Sequence, residues 1–247
     1  PTSGLLDPAG LTMPNPLVLS DVAKTFTMHL QGGIRLAVVE NVSFAVSAGE
    51  CAVLGGPSGA GKSSILKMIY GNYAADGGQI IVSHGEQLVD IVTADPRTVL
   101  ELRRHTIGYV SQFLRAVPRV PALDVVAEPL VARGADAETA RTRAAALLER
   151  LNLPDRLWQL PPATFSGGEQ QRVNVARGFI TDHPILLLDE PTASLDAANR
   201  KVVAQLIAEK KQAGVALLGI FHDAEMREEV ADRIVDVTGF APRRSAA

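Results

Sequence analysis

A loop that is rich in glycine and ends in lysine and serine is the clearest chemical signal in this sequence. Residues 56–63 read Gly-Pro-Ser-Gly-Ala-Gly-Lys-Ser and match the phosphate-binding pattern G-x-x-x-x-G-K-[ST] without a mismatch. Glycines let the chain curl so that backbone N–H groups point inward, and a helix that begins there directs its positive end at an anion. The lysine adds a charge near the β and γ phosphates, and the serine offers a hydroxyl to Mg²⁺. The pattern predicts a triphosphate site formed by Gly56, Pro57, Ser58, Gly59, Ala60, Gly61, Lys62, Ser63 and Ser64.

A pair of carboxylates, Asp189 and Glu190, follows the apolar run Ile185–Leu188. An aspartate at the end of such a strand can hold Mg²⁺, directly or through water, and the next carboxylate can polarise an attacking water. Alone, the pair is equally typical of a solvated strand end. Together with the glycine-rich loop, it predicts a metal ligand at Asp189 and a general base at Glu190.

Four short apolar runs each lead to a polar residue with chemical potential. Residues 51–54 precede the glycine-rich loop, residues 106–110 precede Gln112, residues 185–188 precede the acidic pair, and residues 215–221 precede His222. Runs that are apolar throughout are typical of parallel strands buried on both faces. Since ligands of such sheets bind beyond the carboxyl ends of the strands, we expect these polar residues to meet at one edge.

The rest of the chain falls into segments with different patterns of apolar and polar residues. Residues 17–46 alternate apolar and polar side chains around Gly32-Gly33, which predicts antiparallel strands and a hairpin. Residues 113–179 favour a mostly helical insertion, with one helix capped by Asp136, and residues 197–213 favour another helix. We expect a single domain over residues 17–240, an N-terminal tail over 1–16 and a frayed end over 241–247.

Composition excludes several classes of protein. With 24 basic and 27 acidic residues the net charge is −3, which argues against a nucleic-acid-binding surface. The longest apolar run, residues 214–221, is too short to span a bilayer. The single cysteine, Cys51, lies in an apolar run and fits a buried small hydrophobe in a reducing compartment. These features predict a cytoplasmic protein without a membrane span.

The segment Phe165-Ser166-Gly167-Gly168-Glu169 resembles the signature of the ATP-binding-cassette (ABC) ATPase family, which is close to L-S-G-G-Q. A Ser-Gly-Gly turn that opens a helix makes a second anion site. Phenylalanine replaces leucine and Glu169 replaces glutamine here, but the Ser-Gly-Gly core is intact. Its place just upstream of the acidic strand makes this otherwise common tripeptide specific.

The family resemblance implies roles for further residues. Gln112 resembles the glutamine that joins the Mg²⁺ shell, Asp196 in Ser194-Leu195-Asp196 resembles the aspartate of a loop that communicates across a dimer, and His222 resembles the histidine that contacts the γ-phosphate. Phe26 resembles the aromatic residue that stacks on adenine. The resemblance also implies a P-loop NTPase fold, with a RecA-like parallel sheet, an N-terminal antiparallel β subdomain and an inserted helical subdomain.

The same resemblance implies partners and cofactors. ATP and Mg²⁺ lie between Lys62 of one chain and Ser166–Gly168 of a second ABC ATPase chain, which is the same chain or a related subunit. The residues expected to carry catalysis are Glu190, His222 and Lys62. Those expected to hold the metal are Ser63, Gln112 and Asp189. The nucleotide site is expected to be completed by Ser166, Gly167, Gly168, Glu169 and Asp196.

Within the ABC family the sequence is most similar to the L component of the phosphonate carbon–phosphorus (C–P) lyase system. That similarity is carried by segments such as Ser111–Arg115, Val173–Phe179 and Gly219–Asp223, and it implies C–P lyase components as partners. Three alternatives stay open: the nucleotide-binding subunit of a membrane transporter, an ATP-dependent assembly clamp with little turnover, and a small-molecule kinase. The Ser-Gly-Gly signature and the histidine have no role in a kinase.

Overall fold

A computed structural model describes residues 15–28, 34–115 and 118–242. Most of the predicted tail, the Gly32-Gly33 hairpin and the end of the chain from residue 243 lie outside these residues. Among the described residues, no helix combines the length and the apolar character that a bilayer span requires.

A five-stranded parallel sheet forms the centre of the fold, in the order β6-β7-β8-β3-β9. All four neighbouring pairs are parallel, and β7 and β8 are buried along their whole length. This burial explains the uninterrupted apolar runs, since helices cover both faces of such a sheet. Its strands are β3 (Cys51–Gly55), β6 (Ile107–Val110), β7 (Ile185–Asp189), β8 (Ala216–Ile220) and β9 (Arg233–Asp236).

A four-stranded antiparallel sheet, in the order β2-β1-β4-β5, packs beside it. The long strands β1 and β2 pair from Leu17↔Val46 to Met28↔Ile34, with register shifts near Val22 and Lys24. The alternation of apolar and polar residues therefore predicted correctly that this region forms antiparallel strands. The strands are β1 (Leu17–Met28), β2 (Ile34–Val46), β4 (Gly77–His84) and β5 (Gln87–Asp90).

Helices surround the parallel sheet, and three of them form the predicted helical insertion. Asp136 caps α4 as expected, because its side chain accepts hydrogen bonds from the N–H groups of Glu138 and Thr139. The helices are α1 (Lys62–Ile69), α2 (Pro96–His105), α3 (Ala122–Ala132), α4 (Ala137–Arg150), α5 (Gly167–Phe179), α6 (Ala197–Gln212) and α7 (Ala224–Val230).

The parallel sheet separates two hydrophobic cores. Val53, Leu186 and Leu188 face α3, α4, α5 and α6, whereas Leu54 and Leu187 face α1 and the antiparallel sheet. This alternation follows from the two-residue period of a strand. Cys51 is buried as expected, and burial raises the pKa of its thiol to about 12, so it packs as a neutral side chain.

Several predicted boundaries shift by a few residues. The strand expected from Thr106 begins at Ile107 because Thr106 closes α2, and the helix expected to reach Ala213 ends at Gln212, before Gly214 with φ of 82°. The insertion expected to be helical from residue 113 has its first helix only at Ala122.

Gly178 lets α5 dock closely on β6, and this contact gives a test of the fold. A Cβ at Gly178 would lie 2.2 Å from Cγ2 of the buried Val110, so Gly178→Ala forces overpacking. We expect the free energy of unfolding to fall by about 1–3 kcal/mol, measured by urea denaturation. The control, Gly239→Ala, has no atom within 4 Å of the new Cβ and should shift it by less than about 0.5 kcal/mol. Equal midpoints for the two variants would contradict this packing.

Candidate nucleotide site

The glycine-rich loop joins β3 to α1 in a conformation that only glycine adopts readily. Gly56, Gly59 and Gly61 have φ of 127°, 82° and 92°, in the region that side chains disfavour. A Cβ at Gly61 would also lie 2.6 Å from Val39 Cγ1. Lys62 Nζ donates to the carbonyl oxygens of Gly56, at 2.8 Å, and of Pro57, at 2.7 Å, so the ammonium lies over the loop.

Ser63 and Asp189 meet beneath this loop, as the sequence predicted. Ser63 lies in the first turn of α1 with Ser64 beside it, and its Oγ donates to Asp189 Oδ1 at 3.1 Å. The hydroxyl of Tyr109 donates to the other oxygen, Oδ2, at 2.8 Å. Burial, with the nearby Asp189 charge, raises the pKa of the Tyr109 phenol far above its usual range, so it is a protonated donor.

Glu190 follows directly after the end of β7, and its side chain is partly buried. Its carboxylate lies 2.7 Å from His222 Nε2 and accepts a hydrogen bond from Gln112 Nε2 at 3.2 Å. Its backbone φ is +54°, a value that is uncommon for a residue other than glycine and is concentrated at functional sites. The edge of the parallel sheet therefore brings two of the predicted groups, Gln112 and His222, to the carboxylate of a third, Glu190.

The turn at Ser166 opens α5 with a capping box. Glu169 Oε2 accepts hydrogen bonds from the N–H and the hydroxyl of Ser166, at 2.8 Å and 2.7 Å. These hydrogen bonds lower the pKa of Glu169, which is therefore ionised at neutral pH. The space in front of Gly167 is open, since a Cβ there would meet no atom within 4 Å, whereas one at Gly168 would lie 3.0 Å from the Ser194 carbonyl oxygen.

Asp196 caps α6 at the end of the loop that follows β7. Its Oδ1 accepts from the N–H of Asn199, at 2.8 Å, and from the Asn199 amide, at 3.0 Å. In turn, Asn152 donates to Asn199 at 3.1 Å, so this loop is tied to the helical insertion. The carboxylate is held in place, but it makes no hydrogen bond to residues 56–63 within the described part of the chain.

Phe26 lies in β1, where its ring meets Tyr73 edge-to-face with centroids 5.2 Å apart. Lys24 Nζ lies 5.2 Å from the Phe26 ring centroid, and both Lys24 and the backbone N–H of Thr25 bond to Asp76. The ring is half-buried, so these contacts brace it while part of its surface stays accessible.

Two residues that the sequence did not single out belong to this arrangement. Tyr109 is a tyrosine inside a short apolar strand and was indistinguishable from a packing residue. Gln171 is buried, and its amide donates to the Pro191 carbonyl at 2.8 Å, which ties the helix of the Ser-Gly-Gly turn to the acidic strand. Its place five residues after Ser166 on a helix was the only available signal.

The structure brings the predicted residues together in two separate groups. Lys62, Ser63, Gln112, Asp189, Glu190 and His222 gather at the edge of the parallel sheet. Ser166 and Asp196 form no hydrogen bond with residues 56–63 among the described residues, and their turns are satisfied within α5 and α6.

Comparison with known proteins shows the family to which this chain belongs. The sequence model of the ABC transporter family matches residues 39–193. The lipoprotein-releasing system ATP-binding protein LolD of Idiomarina loihiensis is 34% identical over 203 residues, covering 82% of this chain and 87% of LolD. The macrolide export ATP-binding/permease protein MacB of Brucella melitensis is 35% identical over 90% of this chain, but the chain spans only 33% of MacB.

Solved structures of similar fold are also ATP-binding cassettes. An ATP-binding cassette solved as a dimer in a post-hydrolysis state bound to ADP and Pi has a TM-score of 0.81 and 29% identity, covering 92% of this chain and 97% of that one. An ATP-binding subunit of an ABC transporter has a TM-score of 0.75 and 25% identity over 90% of this chain. The predicted fold class is confirmed. On the evidence of its sequence, fold and site, the chain belongs to the ABC transporter family and is an ABC-type ATPase.

Proposed function

We propose that two cassettes close on two ATP molecules and that hydrolysis reopens them, so that the protein works as a nucleotide-driven motor subunit. The separation of the two groups of site residues carries this proposal. The space in front of Gly167 is open, and among the described residues the Ser166 turn makes no hydrogen bond with residues 56–63, so a phosphate held by Lys62 of a second chain can reach it. The dimeric cassette of similar fold supports this arrangement.

The oxygen donors at the loop fit Mg²⁺ as a companion of the nucleotide. Ser63 and Asp189 present a hydroxyl and a carboxylate 3.1 Å apart, and Mg²⁺ commonly combines such protein ligands with substrate phosphates. Within the described residues, no cluster of three or more His, Cys, Asp or Glu side chains forms a metal centre that is independent of substrate. When bound there, Mg²⁺ supplies charge neutralisation at the β and γ phosphates. The amide nitrogen of Gln112 donates to Glu190, and its carbonyl oxygen would add a third oxygen ligand to the proposed Mg²⁺ site.

Glu190 serves as the general base toward water in this proposal. Its two oxygens contact His222 and Gln112, so the carboxylate is aimed at the open edge of the sheet. Lys62 leaves the carbonyl oxygens of Gly56 and Pro57 for the stronger charge of the phosphates. Lys62 and His222 then stabilise negative charge on the transferring phosphoryl group.

Closure requires one exchange of partners at Ser166. Its hydroxyl and N–H now donate to Glu169, and they turn to the γ-phosphate when the second chain arrives. Phe26 offers the accessible part of its ring to adenine. Asp196, fixed at the cap of α6, lies on the loop that faces the second chain. Loss of the bridging γ-phosphate then removes the attraction between the two chains.

Two classes of partner could receive this motion. The names of the relatives, which refer to macrolide export and lipoprotein release, favour a membrane permease supplied by another chain. The segments that resemble the L component of the C–P lyase system, PhnL, favour a cytoplasmic accessory ATPase that works with C–P lyase core components. Both classes need the same motor, and neither calls for a nucleic acid.

Pull-down of the tagged protein from its native cells, with and without ATP, separates these partners. Co-purification of C–P lyase components supports the accessory role, and co-purification of a permease supports the transporter role. Negligible phosphate release with stable ATP binding would instead indicate an assembly clamp.

Glu190→Gln tests the general base. The variant keeps the shape of the side chain and its contact with Gln112 but loses the basic oxygen, so we expect ATP binding to persist. Hydrolysis should fall by about 10²- to 10⁴-fold, and analytical ultracentrifugation should show a dimer that forms only with ATP. A wild-type rate of phosphate release would show that another group activates the water.

Gly167→Val tests the second anion site. Valine fits the open space in the monomer but blocks the approach of a γ-phosphate, so we expect unchanged ATP affinity, no ATP-dependent dimer and a loss of about 10²-fold in turnover. Ala137→Val is the matched control, because Ala137 is also the first exposed residue of a capped helix. If Gly167→Val dimerises and hydrolyses ATP like the control, the Ser166 turn does not bind nucleotide.

A further inference from the structure

We propose that Tyr109 is a positioning residue for the metal site, whose hydroxyl holds one oxygen of Asp189 so that the other stays directed at Ser63. This inference rests on the proposed placement of Mg²⁺ and adds a residue to that site. The sequence motifs do not include Tyr109, and its role follows from the contacts of its side chain.

Asp189 depends on hydroxyl donors. The residue is only 3% exposed, and each of its oxygens accepts one side-chain hydrogen bond, from Ser63 to Oδ1 and from Tyr109 to Oδ2. Among the described side chains, no lysine, arginine or histidine nitrogen lies within salt-bridge distance of it. When no cation is near, such donors stabilise the negative charge of a buried carboxylate and fix its orientation.

The parallel register delivers Tyr109 to this position. Tyr109 pairs with Leu187 across β6 and β7, and Asp189 lies two residues further along β7, on the same face of the sheet. The tyrosine hydroxyl therefore reaches diagonally from one strand to the end of the next. A leucine or valine at this position would be too short and has no donor.

The ring of Tyr109 is braced from the far end of α1. Tyr70 lies against it with centroids 4.9 Å apart, and Arg103 in turn lies over Tyr70, 4.7 Å from the centroid. Arg103 Nε donates to the Tyr70 carbonyl at 2.8 Å, and Nη2 donates to Asn72 at 2.9 Å. Helix α1 thus carries Ser63 at its first turn and the support for Tyr109 just beyond its last.

Tyr109 therefore hydrogen-bonds to a proposed metal ligand and is not itself a ligand. Such partners orient a ligating carboxylate, and their loss commonly weakens metal affinity by about 10- to 100-fold. Removing the hydroxyl leaves Asp189 Oδ2 without its donor and frees the carboxylate to turn away from Ser63. The phosphate grip of residues 56–63 involves other atoms and stays intact.

Tyr109→Phe removes the hydroxyl and keeps the ring. We expect the affinity of the protein–ADP complex for Mn²⁺, measured by electron paramagnetic resonance titration, to fall about 10- to 100-fold. ADP affinity in EDTA should stay within about twofold of wild type, because the loop does not need the metal ligand to bind phosphate. The Mg²⁺ concentration that gives half-maximal ATPase activity should rise by the same factor as the Mn²⁺ dissociation constant.

Tyr70→Phe is the matched control, since it removes a hydroxyl from the adjacent ring that makes no hydrogen bond to Asp189. Its Mn²⁺ affinity should equal that of wild type. Equal Mn²⁺ affinity in Tyr109→Phe and wild type would overturn the inference, and so would a parallel loss of ADP affinity in EDTA. If the wild-type protein itself binds no Mn²⁺ with ADP, the proposed metal site fails first, which separates the two conclusions.

Discussion

The parallel register of β7 between β6 and β8 places the polar residues that meet at the edge of the sheet. It sets Asp189 level with Ile220 at the end of β8 and within reach of both Ser63 and Tyr109. A one-residue slip would turn the carboxylate to the opposite face of the sheet and bring Leu188 or Glu190 to its position under the glycine-rich loop. The buried runs of β7 and β8 therefore serve chemistry as well as packing, since their two cores fix that register from both faces.

Helix α5 links this edge of the sheet to the Ser166 turn, the proposed second anion site. Gln171 bonds the backbone beside Glu190, and Asn174 donates to the Ser111 carbonyl, next to Gln112. Hydrogen bonds from two buried side chains thus join the Ser-Gly-Gly turn, the acidic strand and the glutamine segment, and such bonds are costly to leave unmade. In the proposed dimer, these hydrogen bonds would carry a displacement at the edge of the sheet through α5 to Ser166 and the second chain.

The sequence predicted most of the fold, because apolar runs and caps are local signals. Four of the five parallel strands, the helix after the loop and the Asp136 cap were predicted correctly, with boundaries that moved where Thr106 and Gly214 ended helices. The strands β4, β5 and β9 were not predicted. The predicted site residues at the sheet edge lie together. Contacts between elements far apart in the chain were not predictable: the Tyr109 hydroxyl, the Gln171 amide and the positive φ of Glu190 all depend on register and packing. The proposed permease and lyase roles both use this one site.

The most direct test of the account is a structure of the Glu190→Gln protein with Mg-ATP. We expect two chains in contact, with the γ-phosphate of each ATP bound by Lys62 of one chain and by the hydroxyl and N–H of Ser166 of the other. A hydrolysis-competent assembly in which Ser166 stays bonded to Glu169, remote from every nucleotide, would contradict it.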